Sequence, residues 1–336
     1  DQTRFFACFA LSLSATIGVA FAGNLLTLYI FYEILSLSTY PLVTHHGDKE
    51  ARSGGRTYLS HLLGTSVAFV LPAMIYCYWK KGGDINFTDG SLLTTDIGSG
   101  AGLIVLLAFT FGFAKNGLMP FHSWLPNAMV APTPVSALLH AVAVVKVGVF
   151  CVIRVFTGVF GIDLLEKLDI AVVVSWIAAF TVITSSLIAL SQDNLKRRLA
   201  FSTIGQLSYI ILGVSLLLPL GVTGSILHVA MHAFGKITLF FCAGAIYVAM
   251  HKKYVSELVG IGRKMPITMT AFAIGSLSVI GLPVTGGLVS KWYLVMGTVE
   301  SDQIAFLVVF LISSILNACY FLPIVYRAFF CRPEES

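Results

Sequence analysis

Charge is scarce in this sequence. Asp, Glu, Lys and Arg make up 11% of its 336 residues, where ordinary soluble domains carry about 25%. With 57% hydrophobic residues and a mean hydropathy of +0.89, a soluble core would have too little polar surface to cover it. That excludes a soluble domain and leaves a polytopic membrane protein built on apolar runs of about 20 residues. Cysteine motifs are missing too. Cys8, Cys77, Cys151, Cys242, Cys319 and Cys331 include no C-x-x-C pair, and most sit in apolar runs, as packing residues do. There is no Gly-rich phosphate loop, no metal-ligand spacing, no Ser/His/Asp arrangement placed for catalysis and no flavin, haem or iron–sulfur motif. The expectation is therefore no cofactor, no metal and no catalytic residue. The net charge of +5 does not imply nucleic acid, because the basic residues are divided among loops. No cleavable signal peptide is visible, and the chain opens at Asp1 without Met, which reads as a fragment or trimmed chain.

Ten hydrophobic segments are present, at 5–22, 24–44, 58–79, 101–130, 133–156, 168–190, 198–217, 222–249, 266–298 and 304–330. The fourth carries "KNGLMPFHSWLP" and the ninth "GLPVTGG". Such Gly and Pro break the backbone hydrogen-bond ladder, which is tolerated in a membrane where the break is buried in protein or lines a hydrated cavity. Each break has a lysine beside it, Lys115 and Lys291, and each falls fourth in a run of five segments. Two five-helix units in series have opposite orientation, because five is odd. The predicted fold is all-α, with about ten spanning helices in two inverted repeats, 1–156 and 157–336, each with a broken helix and each a half-channel.

Loop charge sets the orientation. One side holds Arg4, Lys49, Arg52, Arg56, Lys196, Arg197, Arg198, Lys252, Lys253, Arg263, Lys264, Arg327 and Arg332. The other holds Lys80, Lys81, Arg154 and Lys167. The imbalance predicts cytoplasmic termini.

The remaining basic residues, Lys115, Lys146, Lys236 and Lys291, lie inside helices, and among the acids only Glu33 does. A charge at the bilayer centre costs roughly 2.5–3.5 kcal/mol, so five facing lipid would cost on the order of 15 kcal/mol. They are expected to face the bundle interior. Glu33 and Lys115 are expected to lie together, since opposite charges make each other tolerable in apolar surroundings. In "HVAMHAFGKITLFF", His228, His232 and Lys236 recur every four residues and project from one helical face. That face is expected to reach Lys146 on one side and Lys291 on the other. His140, six residues before Lys146, reads equally well as a core histidine. His122 and Trp124, after the first break, read as structural.

With these residues placed, the sequence resembles a known family. "FAKNGLMPFHSWLPNAMVAPTPVSALLHAVAVVKVGVF", "QDNLKRRLAFSTIGQLSY", "LHVAMHAFGKITLFF" and "GLPVTGGLVSKW" are similar to the antiporter-like proton-pumping subunits of respiratory complex I. Membrane-bound hydrogenases and Mrp-type multisubunit sodium/proton antiporters share the module. Family members usually have about fourteen helices, of which these ten look like the core. The resemblance implies a proton-translocating role for Glu33, Lys115, Lys146, His140, His228, His232, Lys236 and Lys291. It also implies other membrane subunits as partners, membrane lipid around the chain, protons as cargo with sodium as a second candidate, and a bacterial inner membrane.

These motifs do not separate a redox-driven pump from a cation/proton antiporter. Lysine at both 146 and 291 tilts the reading toward the Mrp or hydrogenase branch. Whether the chain belongs to an enzyme complex stays open, since it shows no redox chemistry of its own. The alternative of another class is a non-transporting scaffold or quinone-binding subunit, which would tolerate neutralisation of the buried lysines.

Overall fold

The computed structural model of the chain describes residues 2–87 and 91–331; Asp1 and Arg332 lie outside them. Regular structure among the described residues is helical, with two isolated β-bridges. The longer helices are α1 (Gln2–Ala20), α2 (Leu25–Val43), α3 (Lys49–Lys80), α4 (Ser99–Gly112), α5 (Thr133–Phe160), α6 (Ala171–Ser191), α7 (Leu195–Ser215), α8 (Pro219–Met250), α9 (Pro266–Ile280), α10 (Gly286–Glu300) and α11 (Ile304–Phe330). Seven of them (α1, α2, α3, α5, α6, α8 and α11) are long and apolar enough to cross a membrane, while α4 and α9 are apolar but shorter. The protein is a multi-pass membrane protein.

Several boundaries differ from expectation. α3 begins at Lys49, not 58, so Lys49, Arg52 and Arg56 lie on a helix and not in a loop. Asp48 caps it by accepting from Ala51 N at 2.6 Å, which satisfies one orphan donor of the first turn. Gly54 and Gly55 do not break it; a Cβ at Gly54 would meet Asn127 O at 2.7 Å, so the glycine permits close backbone packing. α7 begins at Leu195, with Asn194 accepting from Arg197 N at 3.1 Å, which puts Lys196, Arg197 and Arg198 in its first turn. α5 runs through a π-helical stretch to Phe160, past the expected end at 156.

α7 occupies the centre. Every residue from Leu199 to Ser215 is buried. A helix enclosed by protein need not be apolar all round, and this one carries Ser202, Thr203, Gln206 and Ser208 inside.

Both expected breaks are present. After α4, Ala114–Asn116 forms a single 3-10 turn, followed by Gly117 at φ 74°. α9 ends at Gly281, φ 88°, and the chain resumes as α10 at Gly286. Glycine closes each because a left-handed backbone is cheap for it. Backbone packs directly on both breaks. A Cβ at Gly148 would overlap the backbone of Lys115 and Asn116, and one at Gly287 would overlap the Ser278 carbonyl.

The two β-bridges tie loops together. Asn24, the cap of α2, pairs with Asn86, and Asn194, the cap of α7, pairs with Tyr254. In each case the loop before a helix is fastened to the loop that follows the next helix.

Candidate functional site

Lys115 lies in the first break, and the break's own carbonyls have other partners. Asn116 Nδ2 donates to Thr110 O at 2.6 Å, and Trp124 Nε1 to Ala114 O at 2.9 Å. Lys115 Nζ is thereby free to cross to α2, where it donates to Tyr32 O at 2.9 Å and Ser36 Oγ at 2.6 Å and lies over the Tyr32 ring. Trp124 is structural, as expected, packed edge-on against Tyr58 at 5.5 Å.

Glu33 and Lys115 act on each other through their charges, with Ser36 beside both, and do not form a direct ion pair. The ion pair found among the described residues is Lys80–Asp96, 3.1 Å apart at the protein surface. Tyr32 and Ser36, four apart, share the α2 face that meets Lys115. Glu33, one residue on, is rotated about 100° away and feels Ser66 of α3 as well as Ser36 and the Lys115 charge. Its two carboxylate oxygens are buried without a hydrogen-bond partner.

At the middle of the molecule, Lys146 of α5 meets His232 of α8 in a direct hydrogen bond, Nζ to Nδ1. One of these two bases must donate and the other accept, so they share a proton between nitrogens. His232 Nε2 has no partner. Its ring stacks at 5.9 Å on His228. His228 Nδ1 lies 2.8 Å from Ser290 Oγ, and Nε2 lies 3.1 Å from Gln206 Oε1. An amide oxygen only accepts, which places a ring proton on Nε2; Ser290 Oγ, which also reaches Gly287 O at 3.2 Å, can partner Nδ1 in either role. Next to Ser290, Lys291 Nζ turns back to donate to Ile280 O at 2.9 Å, the last residue of α9, and to Ser314 Oγ at 3.4 Å. It lies 4.8 Å from the centre of the Tyr209 ring, which in turn stacks on His228 at 5.7 Å.

Lys236, one turn beyond His232 on the inward side of α8, bears electrostatically on His232 and is itself affected by the Lys146 charge. Its Nζ donates to Leu199 O at 3.1 Å and lies 5.5 Å from the Phe321 ring. His140 stands in a π-helical turn of α5, Leu138–Val142, stacked on Phe240 at 5.3 Å. Neither of its ring nitrogens has a partner, and the charges of Lys236 and Lys196 bear on it. His140, His228, His232, Lys115, Lys146, Lys236 and Lys291 are only 0–6% exposed.

Residues 22–317 match the family model described as NADH:quinone oxidoreductase/Mrp antiporter, transmembrane. The chain belongs to this family.

Its relatives include the NADH-quinone oxidoreductase subunit N of Desulforudis audaxviator, 36% identical over 98% of this chain and 65% of the relative. A second is the A/B component of a probable K(+)/H(+) antiporter of Rhizobium meliloti, 31% identical over 99% of this chain and 33% of the relative. The chain thus spans only part of the length of these relatives. A chain of the membrane-bound sulfane sulfur reductase, an archaeal respiratory membrane complex, has a TM-score of 0.86 at 27% identity, covering 98% of this chain and 68% of its own. A chain of the Mrp complex from Dietzia sp. has the same fold, with a TM-score of 0.85 at 24% identity, covering 96% of this chain and 60% of its own.

In this member of the family, sequence reasoning missed the neutral groups: Tyr32 and Ser36 beside Lys115, Ser66 beside Glu33, and Gln206, Ser290 and Tyr209 around His228. Only Gln206 carried a signal, as an amide inside the apolar run "FSTIGQLSYIILGV".

Proposed function

We propose that this chain translocates protons across the membrane as an antiporter-like subunit of a larger complex. The observation that carries the reading is the Lys146–His232 contact. Two buried bases sharing a proton form a joint through which a proton can pass from one nitrogen to the other. On one side of it lie Lys115 and Glu33, on the other His228 and Lys291, with Lys236 and His140 as a branch. A charge arriving at one group changes the cost of charge at the next, so protons move along the membrane plane between two half-channels. The driving reaction, redox or an ion gradient, belongs to partner membrane subunits. Protons are the cargo, with sodium as a second candidate.

The two half-channels are units 1–156 and 157–336, related as inverted five-helix repeats. Matching lengths support this: 19 residues in α1 and α2 against 21 in α6 and α7, 32 in α3 against 32 in α8, 14 in α4 against 15 in α9 before each break, and 28 in α5 against 27 in α11. So do the matching Asn caps and loop bridges at Asn24 and Asn194. Loop charge supports cytoplasmic termini in a bacterial cell membrane.

The test replaces His228 and His232 with apolar residues, singly and together, in the whole complex in vesicles. Loss of proton translocation with normal assembly is expected. Unchanged transport in the double variant would overturn the reading and favour a scaffold.

A further inference from the structure

α11 is nearly continuous in apolar residues, yet one stripe of it is polar. Asn317 lies three residues from Ser314 and Tyr320 and four from Ser313, so these side chains cluster on one side of the helix. That side meets α7 and, at Ser313, Ser186 of α6, whose hydroxyl oxygen is 3.3 Å away. Tyr320 Oη lies 2.9 Å from Ser202 Oγ and also within reach of Asn317 Oδ1. A tyrosine hydroxyl has one proton to give, so it can be offered to either acceptor. Tyr209 Oη donates to Phe310 O at 3.3 Å, with the Ser313, Ser314 and Asn317 side chains about it. Ser313, Asn317, Tyr320, Ser202 and Tyr209 are all buried.

Two features suit this seam to more than packing. Asn317 Nδ2 and Gln206 Nε2 are buried donors without a partner, the condition under which a polar site holds water. The ends of the stripe also lead somewhere. At one end Ser314 Oγ lies 3.4 Å from Lys291 Nζ. At the other, Arg198 in the first turn of α7 donates to Tyr320 O at 3.1 Å and to Gln192 O at 2.8 Å, in the loop before α7. The six residues from Ser314 to Tyr320 rise about 9 Å, so the stripe runs from the second break toward the Arg198 surface.

We infer that the α7–α11 seam is a second proton entry to this chain, connecting the Arg198 surface to Lys291 independently of the Lys146–His232 joint. Ser202, Tyr320 and the serines pass the proton by hydroxyl exchange, and Asn317 and Gln206 hold the water between them. The proton ends on Lys291 Nζ when that amine is neutral. This rests on the proposed role of Lys291 as a carrier.

The experiment uses the complete complex in vesicles and measures the initial rate of proton translocation, its pH profile and its solvent deuterium isotope effect. Tyr320→Phe keeps the ring and removes the hydroxyl; Asn317→Leu keeps the volume and removes the amide; Ser202→Ala and Ser202→Thr form a loss-and-rescue pair; Lys291→Ala is the control. The expected result is a severalfold slower rate and an altered isotope effect in Tyr320→Phe and Ser202→Ala, recovery in Ser202→Thr, and normal assembly throughout. If Asn317→Leu fails to assemble, the Tyr320 and Ser202 variants decide. Wild-type rate, profile and isotope effect in Tyr320→Phe and Ser202→Ala, with transport lost in Lys291→Ala, would overturn the seam alone. Wild-type transport in Lys291→Ala would overturn the carrier role and the seam with it.

Discussion

The two halves of the molecule solve the same problem differently. Each has a broken helix and a lysine beside the break, but Lys115 leaves the carbonyls of its break to Asn116 and Trp124 and reaches to α2, whereas Lys291 turns back onto its own break at Ile280 O. The first half also has a buried acid, Glu33, on the helix that receives Lys115. In the second half no Asp or Glu is buried by the site among the described residues, while His228, His232, Lys236, Lys291 and, at the joint, Lys146 are all bases. A lysine with an acid nearby can hold its charge. A row of bases without one cannot all be charged together, because like charges in a low dielectric repel strongly. The first half is suited to holding a proton and the second to handing it on.

Removing the lysine of the first half should have the largest effect. Lys115→Ala should lower proton translocation tenfold or more, about 1.4 kcal/mol per factor of ten, with the complex assembled. Lys115→Arg should also impair it, because a guanidinium keeps its proton at physiological pH. Wild-type pumping by the arginine variant, measured in vesicles, would show that the site needs charge and not exchange.

Next comes the packing on the break itself. Gly148→Ala would force a methyl group into the Lys115–Asn116 backbone, and overpacking of this kind costs about 1–3 kcal/mol. Thermal unfolding of the purified complex should show a lowered midpoint, and transport should fall with it because Lys115 is displaced. A midpoint equal to wild type would mean that the break shifts freely, unlike a fixed carrier site.

The contrast in acids can be reversed. Gln206→Glu would place a carboxylate against His228 Nε2, now 3.1 Å from an amide oxygen, giving the second half the counter-charge it lacks. The histidine should then hold its proton and transport should slow severalfold. Glu33→Gln should slow the first half in the opposite way, by leaving Lys115 without a compensating charge. Opposite shifts in the pH profiles of the two variants are expected; identical shifts would erase the distinction between the halves.

Much of this was legible in the sequence, for identifiable reasons. Gly and Pro inside apolar runs marked both breaks, and charge inside such runs marked the buried lysines and Glu33, because each violates a rule that lipid enforces. Neutral partners violate nothing. Ser36, Ser290 and Asn317 are residue types that satisfy themselves on a helix backbone, as Ser36 also does through Tyr32 O, so nothing in the sequence separates a working serine from an idle one. The start of α3 was hidden because its first turns, "KEARSGGRT", are polar, whereas the segment was read from its apolar residues. Charge complementarity put Glu33 near Lys115 but could not show what stands between them: one residue along α2 is about 100°, which brings the carboxylate to Ser66 of α3 as well as to Ser36.

The smallest effect separates the two loop bridges. At the bridge Asn24–Asn86 one carboxylate holds one backbone donor, Asp84 Oδ1 accepting from Asn86 N at 2.9 Å. The bridge at Asn194–Tyr254 is braced more heavily: Asp193 accepts from Ser256 N at 3.0 Å and Ser256 Oγ at 2.9 Å, and Glu257 Oε2 accepts from both Lys253 N and Tyr254 N at 3.0 Å. Those two backbone donors, with a smaller contribution from Lys252, hold the Glu257 carboxyl below its ordinary range. A carboxyl with a depressed folded value contributes stability above its unfolded value of about 4.3 and loses it as pH falls through the folded value. Acidification below about pH 4 should therefore loosen residues 251–258 relative to residues 84–87. Because Glu257 is exposed to solvent, the change should be modest and weakened further by salt. Amide hydrogen exchange at the two bridges, compared at matched intrinsic rates, reads it directly. Glu257→Ala should bring part of the same loosening at neutral pH and reduce the acid dependence, leaving the Asp193–Ser256 contacts in place. Equal acid sensitivity at both bridges, or dependence undiminished in Glu257→Ala, would mean that Glu257 does not brace the second bridge.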